Sequence, residues 1–477
     1  MNFNLLTDPW IPVRMSADGR AKTIGLLELF HRSAQISDLA VSTHERIALM
    51  RLLICITQAA LDAPDEADEW DGWGNDLEEK TAAYLNQWRD HFDLFGEGPR
   101  FLQSHIQDTK DYPTAQIVYD LSTGNNPTLL DHVGDETRDF PAAFLARAIL
   151  VYQNHFVGGS LASKVKGNGP ALKALHSFLI GTSLRETILL NCIDLETLHP
   201  TKPGKPVWEG GRESDFLARL CPSPCKLWLV DEGRRIRIDQ GHVYPEFEES
   251  GIREPSTTII TGRRNGAEAN VLLRASIGRG IWRDLHCITV LSKDERKAPL
   301  SFLSHFTARH GSEVTFWSGE LIKAKDAKIL DALESRFTVP WQLFEESGRI
   351  RYQSGVVFSE FTESRLKAAV FIYGKTLKHE NTPVETSRRH YWNTLDNKSN
   401  ILLELLKGAG TENDPMGNST FGKSADPWTT EVRRAARGAY DATCPRRTPR
   451  QLEAYAAGLK QFTPKTIKSA PITAQSP

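Results

Sequence analysis

NHFVGGSLASKVKGNGP, residues 154–170, is the stretch around which the rest of this sequence is arranged. It is rich in residues that leave the backbone bare or carry positive charge: Gly158, Gly159, Gly167, Gly169, Lys164 and Lys166. Glycine lets a backbone come close to another surface with its N–H group accessible, and lysines suit a polyanion. Composition alone favours an ordinary surface loop punctuated by glycine.

The segments on either side of this stretch predict helices. Pro141 stands at a first-turn position that tolerates proline, and FLARAILVYQ follows it. Downstream, ALKALHSFLI from Pro170 to Gly181 predicts a second helix. Farther upstream, Ser42 and Glu45 have capping-box spacing at the start of an apolar helix over Thr43–Leu61. A second capping box, Ser183 with Glu186, predicts a short buried helix to Ile193.

Residues 208–284 turn to short β-like runs, of which KLWLV and RIRI are examples. The clearest hairpin is TTIITGRRNGAEANVLL, with Asn265-Gly266 as its turn and Arg263 and Arg264 at its tip. Two arginines at a projecting tip can reach a groove or a phosphate, and they are equally compatible with ordinary surface charge. A second hairpin turn is predicted at Asp18-Gly19, in a small N-terminal sheet.

Residues 299–337 predict a helix, a strand, a turn and a second helix. The second helix contains AKILDALESRF, with Lys325 and Asp326 at its start.

After Pro340 the sequence is predicted to be all-helical. Helices near 363–378, 385–407, 427–443 and 448–462 suggest a four-helix bundle. The third and fourth of them carry a basic patch formed by Arg433, Arg434, Arg437, Arg446, Arg447 and Arg450.

The predicted fold class is therefore α+β. A large mixed α/β domain occupies 1–340, an all-α four-helix bundle occupies 341–463, and 464–477 is expected to be a disordered tail.

Composition excludes several classes of protein. The formal net charge of −2 over 477 residues gives no global basic signature, so any nucleic-acid contact has to come from local patches. Six scattered cysteines indicate a reducing compartment. The sequence has no secretory signal, and no apolar run reaches the roughly 18 residues of a membrane span. We expect a cytoplasmic protein that makes no membrane contact.

Two motifs offer alternative chemistry. Residues 417–424, GNSTFGKS, match the phosphate-binding pattern G-x-x-x-x-G-K-[ST], with Lys423 and Ser424 as its last two positions and Gly417 as its first. The lead-in ILLELLKGAG is typical of a helix where that motif needs a strand, and Pro427 delays the following helix. Cys221 and Cys225 could supply two zinc ligands, but no second pair at ligand spacing follows. The sequence thus predicts no metal, no cofactor and no catalytic residues, with a nucleotide hydrolase kept as an alternative.

Seven segments, in order, resemble the large subunit (CasA family) of the type I-E CRISPR Cascade, an RNA-guided DNA surveillance complex. They are NLLTDPWIPVR at the N-terminus, STGNNPTLLDH, FVGGSLASK, SLRETILLNCIDL, ITGRRNG, AKILDALESRF and ETSRRHYWN. Together they span nearly the whole chain, although each is weak alone.

The resemblance implies a non-catalytic subunit that recognises the protospacer-adjacent motif (PAM) of double-stranded DNA from the minor groove. Such a subunit promotes duplex opening and R-loop formation and helps recruit the helicase-nuclease. The implied partners are target DNA, the CRISPR guide RNA, the small-subunit dimer and the backbone subunits. A scaffold that binds only proteins remains a further alternative.

The resemblance also implies site residues. A glycine loop along the minor groove corresponds to Gly158, Gly159 and Ser160, which suits a groove too narrow for most side chains. The family's lysine finger falls on Arg263 and Arg264, and arginine's wider forked head is expected to change the preferred base pairs.

The other predicted positions comprise one site that departs from the family, one loop that matches it, and a set of basic residues chosen by charge. The family's glutamine wedge falls on Lys325-Asp326, where no glutamine stands and where Lys325 is expected to make more of the contact. The family's loop near the 5′ handle of the guide RNA corresponds to Leu129, Leu130 and Asp131. Further non-specific DNA contacts are predicted, on electrostatics only, for Lys164, Lys166, Arg433, Arg434 and Arg437.

Overall fold

The computed structural model describes most of the chain. The described residues are 2–62, 64, 72–107, 109–119, 121, 139–159, 165–194, 202–252, 254–290, 313–323, 329–379, 382–408, 420–423 and 426–462.

Helices and strands alternate irregularly through the first three quarters of the chain, and helices follow. The strands are β1 (Ile11–Met15), β2 (Ala21–Ile24), β3 (Ile36–Leu39), β4 (Tyr112–Pro113), β5 (His176–Leu179), β6 (Cys225–Val230), β7 (Arg235–Gln240), β8 (Ile259–Arg264), β9 (Ala267–Leu272), β10 (Glu313–Lys323) and β11 (Ile329–Pro340). The helices are α1 (Leu26–His31), α2 (Thr43–Leu61), α3 (Leu77–Gln87), α4 (Ala142–Asn154), α5 (Leu184–Leu190), α6 (Phe216–Leu220), α7 (Phe247–Ser250), α8 (Leu285–Ile288), α9 (Glu346–Leu377), α10 (Val384–Asp396), α11 (Asn400–Lys407), α12 (Pro427–Thr443) and α13 (Pro449–Leu459).

The chain divides into two compact units. The first contains Met1–Ala275, Leu291–His310 and Thr315–Phe337, and the second contains Ser276–Val290, Gly311–Val314 and Thr338–Pro477. The first unit holds α1 to α7 and the sheets, apart from the start of β10 and the end of β11, whereas the second is mainly helical. All the glycine-stretch and hairpin residues that the sequence singled out belong to the first unit.

Three small antiparallel sheets and a hairpin build the first unit. Their strand orders are β2-β1-β3, β11-β10-β5 and β4-β7-β6, and β8 pairs with β9. The central helix α2 packs against α3, α4, α5 and α6. Its Ser42–Glu45 capping box is present, and almost every one of its side chains is buried, because apolar residues cover all sides of the helix.

Two predicted helices are wrong. The segment after Pro170 forms turns and then β5, whose four residues are all buried and pair with β10. Lys173 has a φ of +63°, which ends any helix there. The segment AKILDALESRF contributes to β11, in which partly buried and exposed residues alternate strictly from Ile329 to Thr338. That two-residue period belongs to a strand with one covered face, and sheet pairing overrides the helix propensity of Ala, Leu and Glu.

The second unit is organised around the long helix α9, which packs against α10, α12 and α13. Trp428 donates from its indole N–H to the carbonyl of Gly355 at 3.0 Å, and Tyr391 donates to the carbonyl of Ser359 at 2.9 Å. The helix expected over 385–407 is two helices, α10 and α11, and α9 begins at Glu346, well before the predicted start.

Candidate nucleic-acid interface

The two described ends of the glycine stretch, residues 154–159 and 165–170, pair with each other and are here called the glycine neck. Val157 and Asn168 form an antiparallel bridge. Gly159 N donates to Val165 O at 2.7 Å, and Gly169 N donates to Phe156 O at 2.9 Å. Main-chain hydrogen bonds therefore fix both described ends of the stretch. Ser160 and Lys164 lie outside the described residues.

The glycines of this neck have two different functions. A Cβ at Gly158 would lie 2.4 Å from the carbonyl oxygen of Gly167. Only glycine at position 158 therefore allows the two segments of the neck to approach this closely. Gly159 is exposed, has a φ of +77°, and no described residue lies within 4 Å of the place where its Cβ would stand. Gly159 is thus the position in the described neck where bare backbone faces outward.

A buried ionic cluster contacts Asn154, where the glycine neck begins. The Arg51 guanidinium donates to Glu254 Oε2 at 2.7 Å and to Asn154 Oδ1 at 2.8 Å, and Arg219 donates to Glu254 Oε1 at 3.0 Å. Although burial opposes ionisation, the guanidinium groups of Arg51 and Arg219 hold the pKa of Glu254 below its ordinary value. The cluster links α2 to the first residue of the glycine stretch.

The arginine hairpin forms as the sequence predicts. Asn265 and Gly266 both have positive φ, 52° and 84°, as a type I′ turn requires. Arg263 and Arg264 are exposed at the end of β8. The base of the hairpin joins the chain that follows the glycine stretch, since Leu175 N donates to Leu273 O at 2.9 Å.

Glu246 binds the glycine neck, and the charge of one hairpin arginine acts on it. Its carboxylate accepts hydrogen bonds from Asn168 of the neck and, at 3.1 Å, from Lys173. Burial opposes its ionisation, but the pKa of Glu246 is lowered by these two hydrogen bonds and by the positive charges of Lys173 and Arg264. The carboxylate that accepts a hydrogen bond from the neck is therefore close enough to Arg264 for that charge to lower its pKa. Nearby, Gln240 holds the backbone of Lys166 on both sides, with distances of 2.8 and 3.3 Å.

Strand β10 ends beside the glycine neck. Lys323, the last residue of β10, donates from Nζ to the carbonyl oxygen of His155 at 2.8 Å. Lys325 and Asp326 follow within two and three residues, but they lie outside the described part of the chain. Leu129, Leu130 and Asp131 also lie outside it.

The arginines predicted on α12 already have partners. Arg434 forms an ion pair with Glu431 at 2.6 Å, and Arg437 forms one with Asp441 at 3.2 Å. Arg433 donates to the carbonyl of Gly422. All three side chains are exposed, but two of the three charges are offset by a carboxylate on the same helix.

The described residues on either side of the alternative nucleotide motif are helical. Helix α11 precedes it, as the sequence indicates, and α12 begins only at Pro427 with Asp426 as its cap, accepting from Thr429 N at 2.7 Å. The Asp426 carboxylate therefore takes up a backbone N–H group at the start of α12, and a phosphate bound there would need that donor. Gly417 and Ser424 lie outside the described residues, and Lys423 is exposed.

The cysteine pair does not form a metal centre in the described parts of the chain. Cys221 and Cys225 are both buried, and burial raises the pKa of each thiol. The described residues contain no cluster of three or more histidine, cysteine or acidic side chains that could hold a metal ion. Nor does any described helix combine the length and hydropathy that a bilayer crossing requires.

Sequence reasoning missed several residues that hold this site together. Lys173, Glu246 and Lys323 have no pattern around them that indicates contact with the glycine stretch or the hairpin. Glu246 is 78 residues from Asn168 and Lys323 is 168 residues from His155. Only the fold brings these residues together.

Comparison with known proteins places this geometry in a family. The model of CRISPR-associated protein Cse1 matches residues 4–439. The chain belongs to the Cse1 family. CasA/Cse1 of Thermus thermophilus is 27% identical to this Cse1 family member over an alignment of 513 positions, gaps included, which covers 96% of each chain.

Solved structures of Cse1 share the fold of this chain. Thermus thermophilus CasA (Cse1) gives a TM-score of 0.76 at 22% identity and covers 97% of this chain and 99% of its own. Thermobifida fusca Cse1 gives 0.72 at 19% identity, covering 96% and 97%. A chain of a CRISPR RNA-guided surveillance complex gives 0.75 at 15% identity, covering 97% and 100%.

Proposed function

We propose that this Cse1 family member is the non-catalytic large subunit of a type I-E RNA-guided DNA surveillance complex. It reads the PAM of double-stranded DNA from the minor groove, promotes duplex opening and R-loop formation, and helps recruit the helicase-nuclease. Its mixed α/β part reads the motif, and its helical part is a four-helix bundle that contacts other subunits.

One observation carries the DNA-reading part of this proposal. Gly159 is exposed, with no described residue within 4 Å of its Cβ position, and Arg263 and Arg264 are exposed on a hairpin where the charge of Arg264 acts on Glu246, which accepts a hydrogen bond from Asn168 of the neck. The minor groove is about 6 Å wide, so exposed backbone fits where a side chain would clash, while guanidinium groups suit its acceptors and negative potential.

Binding of the assembled complex to duplexes with randomised PAM positions tests this proposal. Gly159→Asp places a negative charge in the groove, whereas Gly159→Asn has the same size and also tolerates positive φ. We expect Asp to abolish motif-dependent binding and Asn to weaken it less. Gly19→Asp is the matched control, because Gly19 is also exposed, has a φ of +67°, and has open space at its Cβ.

The arginine hairpin is tested in the same assay. Arg263→Ala/Arg264→Ala should reduce discrimination between motifs by about 1–3 kcal/mol. Lys226→Ala/Arg235→Ala removes two exposed charges from the β6–β7 pair of the same unit and should leave the motif preference unchanged. Motif preference that survives both the Gly159 and the arginine variants would refute the site and favour a protein-only scaffold.

A stripe on α9 supports the proposed contact with other subunits. Ile350, Val357, Phe361 and Phe371 are large apolar residues between 43% and 58% exposed. With Ser354, Ser364 and Ala368 they follow alternating spacings of three and four residues, the period of a helix that packs on another helix. We propose that a helix of the small-subunit dimer packs on this α9 stripe.

A further inference from the structure

A cavity of about 50 Å³ lies inside the first unit, next to the glycine neck. Arg219 of α6 and Glu254 form its buried polar side, and it is here called the Arg219 cavity. Its other walls include Asn168 and Gly169 of the neck, Tyr244, Phe247 of α7, and Leu272 at the end of β9. One water molecule needs roughly 10–15 Å³, so this volume can hold a molecule of about four or five heavy atoms.

Arg219 supplies unused donor capacity at this cavity. Its side chain is only 4% exposed, and its Nε donates to Glu254 Oε1 at 3.0 Å. Its Nη1 is also buried, and it has no hydrogen-bond partner among the described residues. A buried, charged N–H group without an acceptor is costly, so a ligand that brings an acceptor to this guanidinium is favoured.

The charges around Arg219 favour an anionic acceptor. Arg51 and Arg219 share the single carboxylate of Glu254, which leaves one positive charge in excess in this buried cluster. The other acidic residue of the cavity wall, Glu246, is paired with Lys173 at 3.1 Å. Electrostatic attraction is stronger in the low dielectric of the interior than at the surface, so an anion placed here gains from the excess charge.

The remaining wall of the cavity is largely apolar. Phe247, Ile252 and Leu272 line it, and the ring centre of Tyr244 lies 5.8 Å from the guanidinium carbon of Arg219. Apolar walls with a few fixed polar groups are typical of sites for small organic molecules. A carboxylate on a short alkyl chain matches both sides of the cavity, because guanidinium groups pair well with carboxylates and the alkyl chain suits the apolar wall.

We propose that the Arg219 cavity binds a small monocarboxylic acid, with the carboxylate on Arg219 and the alkyl chain against Phe247 and Ile252. Gly159 and the hairpin arginines do not line this cavity. The inference therefore does not depend on the proposed function.

Titration of the full-length protein with propionate, followed by ligand-observed NMR at constant ionic strength, tests this inference. We expect a dissociation constant of about 1 mM, since a ligand with so few atoms gains limited affinity. Propionamide has nearly the same shape without the charge, and it should bind at least about tenfold more weakly. Inorganic phosphate has charge but no apolar part, and it should also bind more weakly than propionate.

Two variants remove the site in different ways. Arg219→Gln removes the excess charge and leaves Arg51 and Glu254 as a balanced pair. Ile252→Trp fills the cavity with a larger side chain and keeps the guanidinium. Each variant should weaken propionate binding by at least about tenfold.

Each variant has a matched control in the same unit. Arg46→Gln also removes a buried arginine that is paired with a carboxylate and has an unpartnered Nε, but Arg46 does not line the cavity. Leu330→Trp introduces the same large side chain at an exposed leucine of β11. Both controls should bind propionate within about twofold of the wild-type protein.

The outcomes decide the inference separately from the proposed function. Propionate binding that is lost in the two site variants and kept in the two controls supports it. Equal binding of propionate and propionamide, phosphate binding as tight as that of propionate, or full binding by either folded site variant overturns it. If Arg219→Gln fails to fold, Ile252→Trp and its control decide. A complex that binds DNA without motif preference would overturn the proposed function and leave this inference intact.

Discussion

Gly158 and Gly159 are neighbours with opposite tolerance of a side chain. At Gly158 the added methyl group would meet backbone atoms of Gly167 at 2.4 and 2.9 Å, which cannot move aside as a side-chain end could. We therefore expect Gly158→Ala to destabilise the first unit by about 1–3 kcal/mol, the usual cost of overpacking. Thermal unfolding of the variant checks this. Gly98→Ala, at an exposed glycine with open space and no positive φ, should be neutral, and equal midpoints for the two variants would contradict the close approach.

His176 makes the stability of the first unit sensitive to mild acid. Burial, with the nearby charge of Arg51, lowers the pKa of His176 to about 4. The unfolded chain binds a proton near pH 6.5 and the folded chain does not. Stability is thus complete above pH 6.5 and falls as the pH decreases towards 4, by about 3 kcal/mol in total. The free energy of unfolding in urea, measured between pH 7.5 and 4.5, should fall less for His176→Gln than for the wild-type protein. Equal falls for the two proteins would refute the role of His176.

Local signals in the sequence predicted those elements whose structure is decided locally. The Ser42–Glu45 box, the Asn265-Gly266 turn and the Asp18-Gly19 turn each fix the backbone through a few adjacent residues, and the structure confirms all three. β5 and β11 were missed because their strand conformation depends on pairing with β10. In the sequence, β5 lies more than a hundred residues from β10. A short apolar run such as HSFL is compatible with either a helix or a strand until its partner is known.

The α9 stripe predicts how this chain assembles with other subunits. Phe361→Glu places a charge in the middle of the apolar stripe, so association with the small-subunit dimer should weaken by at least tenfold. Because Phe361 is exposed, unfolding of the free subunit should change by about 0.5 kcal/mol or less. Leu452→Glu, at an exposed leucine on α13 outside the stripe, is the control. Analytical ultracentrifugation of the mixed subunits distinguishes them, and equal association by both variants would remove the stripe from the interface.

The candidate site was predictable in its parts and not in its arrangement. The glycines and the hairpin arginines were identified from composition, turn signals and family resemblance. The residues that join them, Glu246 and Lys323, come from a helix cap and a strand end without any local motif. A carboxylate shared by Asn168 and Lys173 arises from packing of the whole first unit, which no short segment encodes.

The net charge of the whole chain bears on the predicted non-specific contacts to the DNA backbone, which are distinct from the contacts that read the motif. With a net charge of −2 the protein has no general attraction for DNA, so backbone contacts depend on local arginines, and Glu431 and Asp441 offset two of those on α12. Arg433→Ala/Arg434→Ala/Arg437→Ala should weaken binding equally for all motifs. The slope of log affinity against log salt concentration should also become shallower. For each arginine removed, the change should be less than the roughly 0.9 expected when an unpaired cation loses one phosphate contact.

The opposite change on α12 gives the control for this prediction. Glu431→Gln/Asp441→Asn releases Arg434 and Arg437 from their carboxylates and should raise affinity for every motif while steepening the salt dependence. Both sets of variants are compared by titrating the assembled complex with PAM and non-PAM duplexes at several salt concentrations. Because these arginines contact no base in the proposed function, the ratio between the two duplexes should stay constant. A ratio that changes with the α12 variants would place motif reading on the second unit and contradict the assignment to Gly159 and the arginine hairpin.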